Sequence, residues 1–118
     1  PNVVAIQSEN CDPFVQAVLN RKTYPVEVDV KPTMAEGIAI GEPKRGKEIL
    51  DYIYKYNLKV ITAPENMIKV ARKELSNKGI FAEPTAAANY AGYKNYCIKY
   101  GKTTDSIIPI CGSGLKSD

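Results

Sequence analysis

The sequence predicts an α/β fold, a three-layer sandwich in which a mostly parallel sheet carries helices on both faces. Three observations lead there. Short apolar or β-branched runs recur along the chain, at Val3 to Gln7, Leu58 to Thr62 and Ile107 to Ile110. Amphipathic helical patterns lie between them, and strands joined in this way run parallel through right-handed crossovers. A length of 118 residues is one α/β domain, 1–118, with room for a single core.

Val3-Val4-Ala5-Ile6-Gln7 is the kind of run that suits a strand covered on both faces. Ser8 to Asp12 then supplies turn residues. Asp12 before Pro13 reads as an N-cap followed by proline at the first helical position, with Phe14, Val15, Val18 and Leu19 turned toward the sheet. Arg21 to Pro32, broken by two prolines and carrying alternating valines, is either a short edge strand or an extended loop. Thr33 to Ile40 is apolar enough for a helix, but Gly37 and Gly41 weaken it.

From Arg45 to Lys55, the spacing of Ile49, Leu50, Ile53 and Tyr54 predicts an amphipathic helix, and Leu58 to Thr62 the second strand. Thr62 and Glu65 stand at capping-box spacing before a helix whose buried face is Met67, Ile68, Ala71 and Leu75, ending at Asn77-Lys78-Gly79. After a brief extended Ile80 to Glu83, Pro84 starts a helix running to about Tyr100. Ala86, Ala87, Ala88, Ala91 and Gly92 leave one side of it nearly bare, which suits close approach to another backbone. The final run breaks into Gly112-Ser113-Gly114, and ligands gather beyond such carboxyl ends of strands.

Composition excludes several chemistries. With no histidine, imidazole triads and imidazole metal ligation are absent from this chain. Three cysteines at wide spacing, Cys11, Cys97 and Cys111, indicate neither a disulfide framework nor a zinc ribbon, and no metal site is expected. The net charge of +3 is spread out, and Lys44-Arg45-Gly46-Lys47 reads as a solvated helix start, so no nucleic-acid partner is expected. No apolar run reaches the roughly 18 residues that span a bilayer and no signal segment opens the chain, so a cytoplasmic protein without a membrane partner is expected.

Three places could carry chemistry, and each has a plain reading. Cys111 at a strand end is ordinarily a small buried hydrophobe. Glu83 before Pro84 is an acid favoured by the dipole of a helix start. Gly112-Ser113-Gly114 serves a tight turn. Their order and spacing, however, resemble the C-terminal part of fold type II pyridoxal-phosphate enzymes, and threonine synthases in particular. The segments that carry the likeness are Val3 to Gln7, Thr33-Met34-Ala35-Glu36-Gly37-Ile38-Ala39-Ile40-Gly41, Gly79-Ile80-Phe81-Ala82-Glu83-Pro84-Thr85-Ala86-Ala87-Ala88 and Gly112-Ser113-Gly114-Leu115-Lys116. The last two are the specific ones.

The resemblance implies that the chain is part of the large domain of such an enzyme, with pyridoxal phosphate as cofactor and a small amino acid as substrate. It implies that Cys111 faces the pyridine nitrogen, that Glu83 lies beside the ring, and that Gly37 and Gly112 pass close to it; no catalytic residue is assigned within the chain. The Schiff-base lysine and the glycine-rich phosphate loop lie upstream of the matched region in this family, so a C-terminal portion, inactive alone and prone to self-associate or dimerise, is expected. The implied reaction is conversion of O-phospho-L-homoserine and water to L-threonine and phosphate. One departure bears on substrate: Ala39 stands where threonine synthases usually carry arginine, and Ala-Glu-Gly-Ile-Ala is similar to threonine dehydratases. A threonine or serine dehydratase is therefore the alternative, and a non-catalytic α/β binding or dimerisation module is a third reading.

Overall fold

Two parallel strands form the centre of the chain. In the computed structural model, which describes residues 1–116, β1 (Val4–Ser8) pairs with β2 (Lys59–Ala63) in register from Val4 opposite Lys59 to Ser8 opposite Ala63. The carboxyl ends of both strands therefore lie at one edge. Between them the chain runs through α1 (Pro13–Leu19), an extended loop with one 3-10 turn at Glu36–Ile38, and α2 (Gly46–Lys55). After β2 come α3 (Glu65–Asn77) and α4 (Pro84–Tyr100). Of the two possibilities for Arg21 to Pro32, the extended loop is the one observed.

The layers are those expected. On one face Ala17 of α1 and Leu50 and Ile53 of α2 close a cluster with Phe14, Val18 and Val60. On the other, Ile68, Ala71 and Leu75 of α3 meet Ala86, Ala87, Ala88 and Ala91 of α4, with Ala63 and Ile6 beneath them. Val60 and Ala63 of β2, three positions apart, thus serve opposite faces, as strand geometry requires of residues an odd number apart. Burying each large aliphatic side chain contributes about 1.5–3 kcal/mol. The bare side of α4 lets it lie directly on β1: a Cβ at Gly92 would fall 2.5 Å from Ile6 Cδ1 and Cγ2.

Helix ends show where local signals succeeded and where distant partners replaced them. α3 stops as its sequence predicts: Gly79 takes φ +83°, its N–H donates to Ser76 O, and Ile80 N–H donates to Leu75 O at 2.8 Å. Asp12 does precede α1, but its side chain does not cap it. The Gln7 Oε1 atom reaches over from β1 and accepts from Phe14 N and Val15 N at 3.0 and 3.1 Å, while Asp12 accepts from Gln16 Nε2. The Thr62/Glu65 capping box is also replaced, because Thr62 belongs to β2; Glu9 Oε1 instead accepts the first N–H of α3, from Glu65.

Two further expectations are corrected. Ile107 to Cys111 forms no strand: it runs extended beside α4, with Ile107 93% exposed and Pro109 O accepting from Asn89 Nδ2. Pro109 has no N–H for a ladder, and no strand among the described residues lies beside the segment. Leu19 does not face the core but is 67% exposed, since α1 is short and Ala17 takes the buried position. On α2, Leu50 and Ile53 are buried while Ile49 and Tyr54 stay 41% and 44% exposed, the Tyr54 hydroxyl donating to Lys22 O at 2.6 Å.

Candidate functional site

Three of the four residues singled out from the sequence meet at the N-terminus of α4. Phe81 to Glu83 runs antiparallel to the Gly112–Gly114 turn: Glu83 N–H donates to Gly112 O at 3.0 Å, Gly114 N–H donates to Phe81 O at 2.9 Å, and Ala82 pairs with Ser113. Glu83 stands at the N-cap position, its backbone extended and its side chain free of the helix amides. It lies flat on the Gly112 peptide instead. A Cβ there would fall 2.5 Å from Glu83 Cγ and closer still to its carboxyl group.

Gly37 arrives from the 3-10 turn of the long loop, and its N–H donates to Thr85 Oγ1 at 3.0 Å in the first turn of α4. A Cβ at Gly37 would sit 2.9 Å from that hydroxyl. Both glycines are thus needed for close approach of backbone to a neighbouring side chain. Cys111, next to Gly112, is exposed, so the reading of a buried hydrophobe does not hold for it. Cys11 is the buried thiol, 0% exposed, and its pKa is raised by burial first and by the charge of Asp12 second.

At this helix start stand a half-buried carboxylate and two accessible stretches of glycine backbone, and the exposed Cys111 is next in sequence to Gly112. An exposed thiol can face a ring nitrogen, whereas the space that a Cβ would take at Gly37 and Gly112 is filled by the Thr85 and Glu83 side chains. No group of three or more His, Cys, Asp or Glu side chains suited to a metal occurs among the described residues. No helix of the described residues is long and apolar enough to cross a membrane.

A second polar group at the strand ends has no precedent in the sequence reading. Ser8, fully buried at the end of β1, donates from Oγ to the Glu65 carboxylate at 3.1 Å and lies 3.0 Å from Thr33 Oγ1. Thr33 Oγ1 also donates to Glu65 Oε1, and Glu65 Oε2 accepts from Met34 N at 3.0 Å. The partners are separated by 25 to 57 positions, so no local pattern could reveal them. Glu65, read as a capping residue, is spent on the loop.

Residues 1–112 match the family described as "Pyridoxal-phosphate dependent enzyme". The threonine synthase of Methanocaldococcus jannaschii is 33% identical over 95 residues, covering 80% of this chain and 24% of that protein. Among solved structures, a T.th. threonine deaminase superposes with a TM-score of 0.63 at 18% identity, over 85% of this chain and 30% of that one. The latter is a likeness of fold. This chain spans about a quarter of the length of its curated relative and under a third of the structural one. With nearly its whole length matched, the chain belongs to the pyridoxal-phosphate dependent enzyme family.

Proposed function

We propose that this chain forms the ring-side wall of the cofactor site in a threonine-synthase-like lyase, which converts O-phospho-L-homoserine and water to L-threonine and phosphate. The observation that carries the reading is the convergence of Gly37, Glu83 and Gly112 on one helix start, in a chain 33% identical to a threonine synthase over 95 residues. Bound pyridoxal phosphate would supply the electron sink for chemistry at an amino acid's carbon atoms. In this reading Cys111 presents its thiol to the pyridine nitrogen. Glu83 lies along the ring edge, with Gly37 and Gly112 beside it, their Cβ positions filled by Thr85 and Glu83. The Schiff-base lysine and the phosphate loop come from residues upstream of the matched region.

A dehydratase acting on threonine or serine is the second reading, favoured by Ala39. Its side chain cannot make the two-pronged phosphate contact of an arginine. The holoenzyme, assayed for phosphate release from O-phospho-L-homoserine and for oxoacid formation from threonine, separates the two. Phosphate release is expected; oxoacid alone would give the chain to the dehydratases. Turnover of neither, with no cofactor absorbance, would favour the non-catalytic module. We further propose a cytoplasmic enzyme that self-associates as a homodimer, exposed apolar side chains such as Ile98, Ile107 and Leu115 favouring association. A monomer in sedimentation would refute that part.

A further inference from the structure

We infer that Glu65 is a positioning residue, whose carboxylate bridges the end of β1 and the loop from Thr33 to Gly41 and so sets where Gly37 and Ala39 stand beside the N-terminus of α4. Apolar packing holds the loop at Ala35, in the α3–α4 core, and at Ile38, partly buried against it. The loop pairs with no strand, forms only the Glu36–Ile38 turn, and buries fully just one small side chain, Ala35. It has polar attachments besides: Asn10 Nδ2 donates to Pro32 O at 2.8 Å before it, and Gly37 N–H donates to Thr85 Oγ1 at its middle.

Between these points stands Glu65. One oxygen accepts from the Met34 backbone, and the other takes the hydroxyls of Thr33 and Ser8. Thr33 Oγ1 in turn accepts from Ala35 N at 3.1 Å, and Ser8 Oγ accepts from Asn10 N at 3.1 Å, so each hydroxyl is oriented by a backbone amide. The carboxylate rides on the first turn of α3, a rigid element packed on α4. Loop and helix start are thus referred to the same framework. That the loop serves substrate placement rests on the enzymatic reading above; the bridge itself does not.

Glutamine can keep the bond to the loop backbone, because its oxygen can accept from Met34 N while its amide donates to Ser8 Oγ, which accepts from Asn10 N and has a lone pair to spare. Alanine cannot. Amide exchange measured by NMR on the full chain should therefore quicken about 10-fold at Met34 and Gly37 in Glu65→Ala, the factor that one lost hydrogen bond is worth. Glu65→Gln should stay within about threefold of the parent, as its bonds persist. Thr33→Val, which removes one hydroxyl and leaves α3 intact, should give a smaller rise confined to the same loop. Unchanged exchange at Gly37 in Glu65→Ala, or a rise spread equally over α4 in both variants, would overturn the inference. In the holoenzyme, Glu65→Ala should raise KM about 10-fold while kcat moves less than about threefold, a loss of uniform binding, and glutamine should restore KM. A KM that does not move overturns the role in substrate placement, whereas a parent holoenzyme inert on both substrates sinks the enzymatic reading and leaves the exchange result standing.

Discussion

Gly112→Ala probes the site most directly, because the methyl group must compete with Glu83 for one space. A Cβ would lie 2.5 Å from Glu83 Cγ, against the 3.5–4.0 Å of ordinary carbon contact. Either the Glu83 side chain moves or the backbone bridge opens. Pushing the side chain off its rotamer costs about 0.5–1.5 kcal/mol. Opening the bridge gives up the two hydrogen bonds between Phe81–Glu83 and Gly112–Gly114, about 0.5–1.5 kcal/mol each. The side chain therefore yields first. Replacing glycine by alanine where φ is negative also stabilises by about 0.4–1 kcal/mol through the unfolded chain, and Gly112 is not among the positive-φ residues.

The net loss should then be at most about 1 kcal/mol, a fall in Tm of about 4 °C for a domain of this size. The Glu83 carboxylate, however, is displaced from the helix start. A double-mutant cycle gives the sign: on a Glu83→Ala background the obstruction is gone, and Gly112→Ala should stabilise, for a coupling of about 1 kcal/mol between the two positions. Thermal and urea unfolding of the four proteins measures it. A loss of about 2 kcal/mol or more in Gly112→Ala that Glu83→Ala leaves unrelieved would mean that the backbone moved, and the reasoning would be refuted.

Two other outcomes are expected. A thiol reagent should label Cys111 at once and Cys11 only on unfolding, since Cys11 is fully buried and its thiol is held protonated above the usual range; mass spectrometry showing Cys11 modified in the native protein would contradict this. The ion pair of Lys94 with Glu74, 2.6 Å between α3 and α4, lowers the pKa of Glu74 below 4.5, chiefly through the hydrogen bond from Lys94. A carboxyl whose folded pKa is lowered stabilises the fold above its unfolded pKa and loses that contribution as pH falls through the folded value. Stability of the parent should thus decline more steeply below pH 4.5 than that of Lys94→Met, and parallel curves would count against the pair.

Much of the fold was legible because the signals were local. The apolar spacing of Leu50 and Ile53, and of Ile68, Ala71 and Leu75, marks helix faces whatever they pack on, and these are the faces buried. Gly79 announced the end of α3 through its own backbone freedom, and the alanine stripe of α4 announced a close neighbour, which is Ile6. Ile107 to Ile110 had the composition of a strand, but a strand exists only as half of a ladder, and Pro109 and the lack of an adjacent edge among the described residues withhold one.

By itself the sequence determined the first two strands and the four helices, the family, and the three residues that meet at the start of α4. The tertiary structure alone decided how the polar groups are spent: Gln7 rather than Asp12 caps α1, Glu9 rather than Thr62 serves the start of α3, and Glu65 turns from capping to holding the loop of Gly37. Apolar periodicity is a property of neighbours a few residues apart, whereas a carboxylate takes whichever donors the packed layers bring within reach, and here those lie as many as 57 positions away.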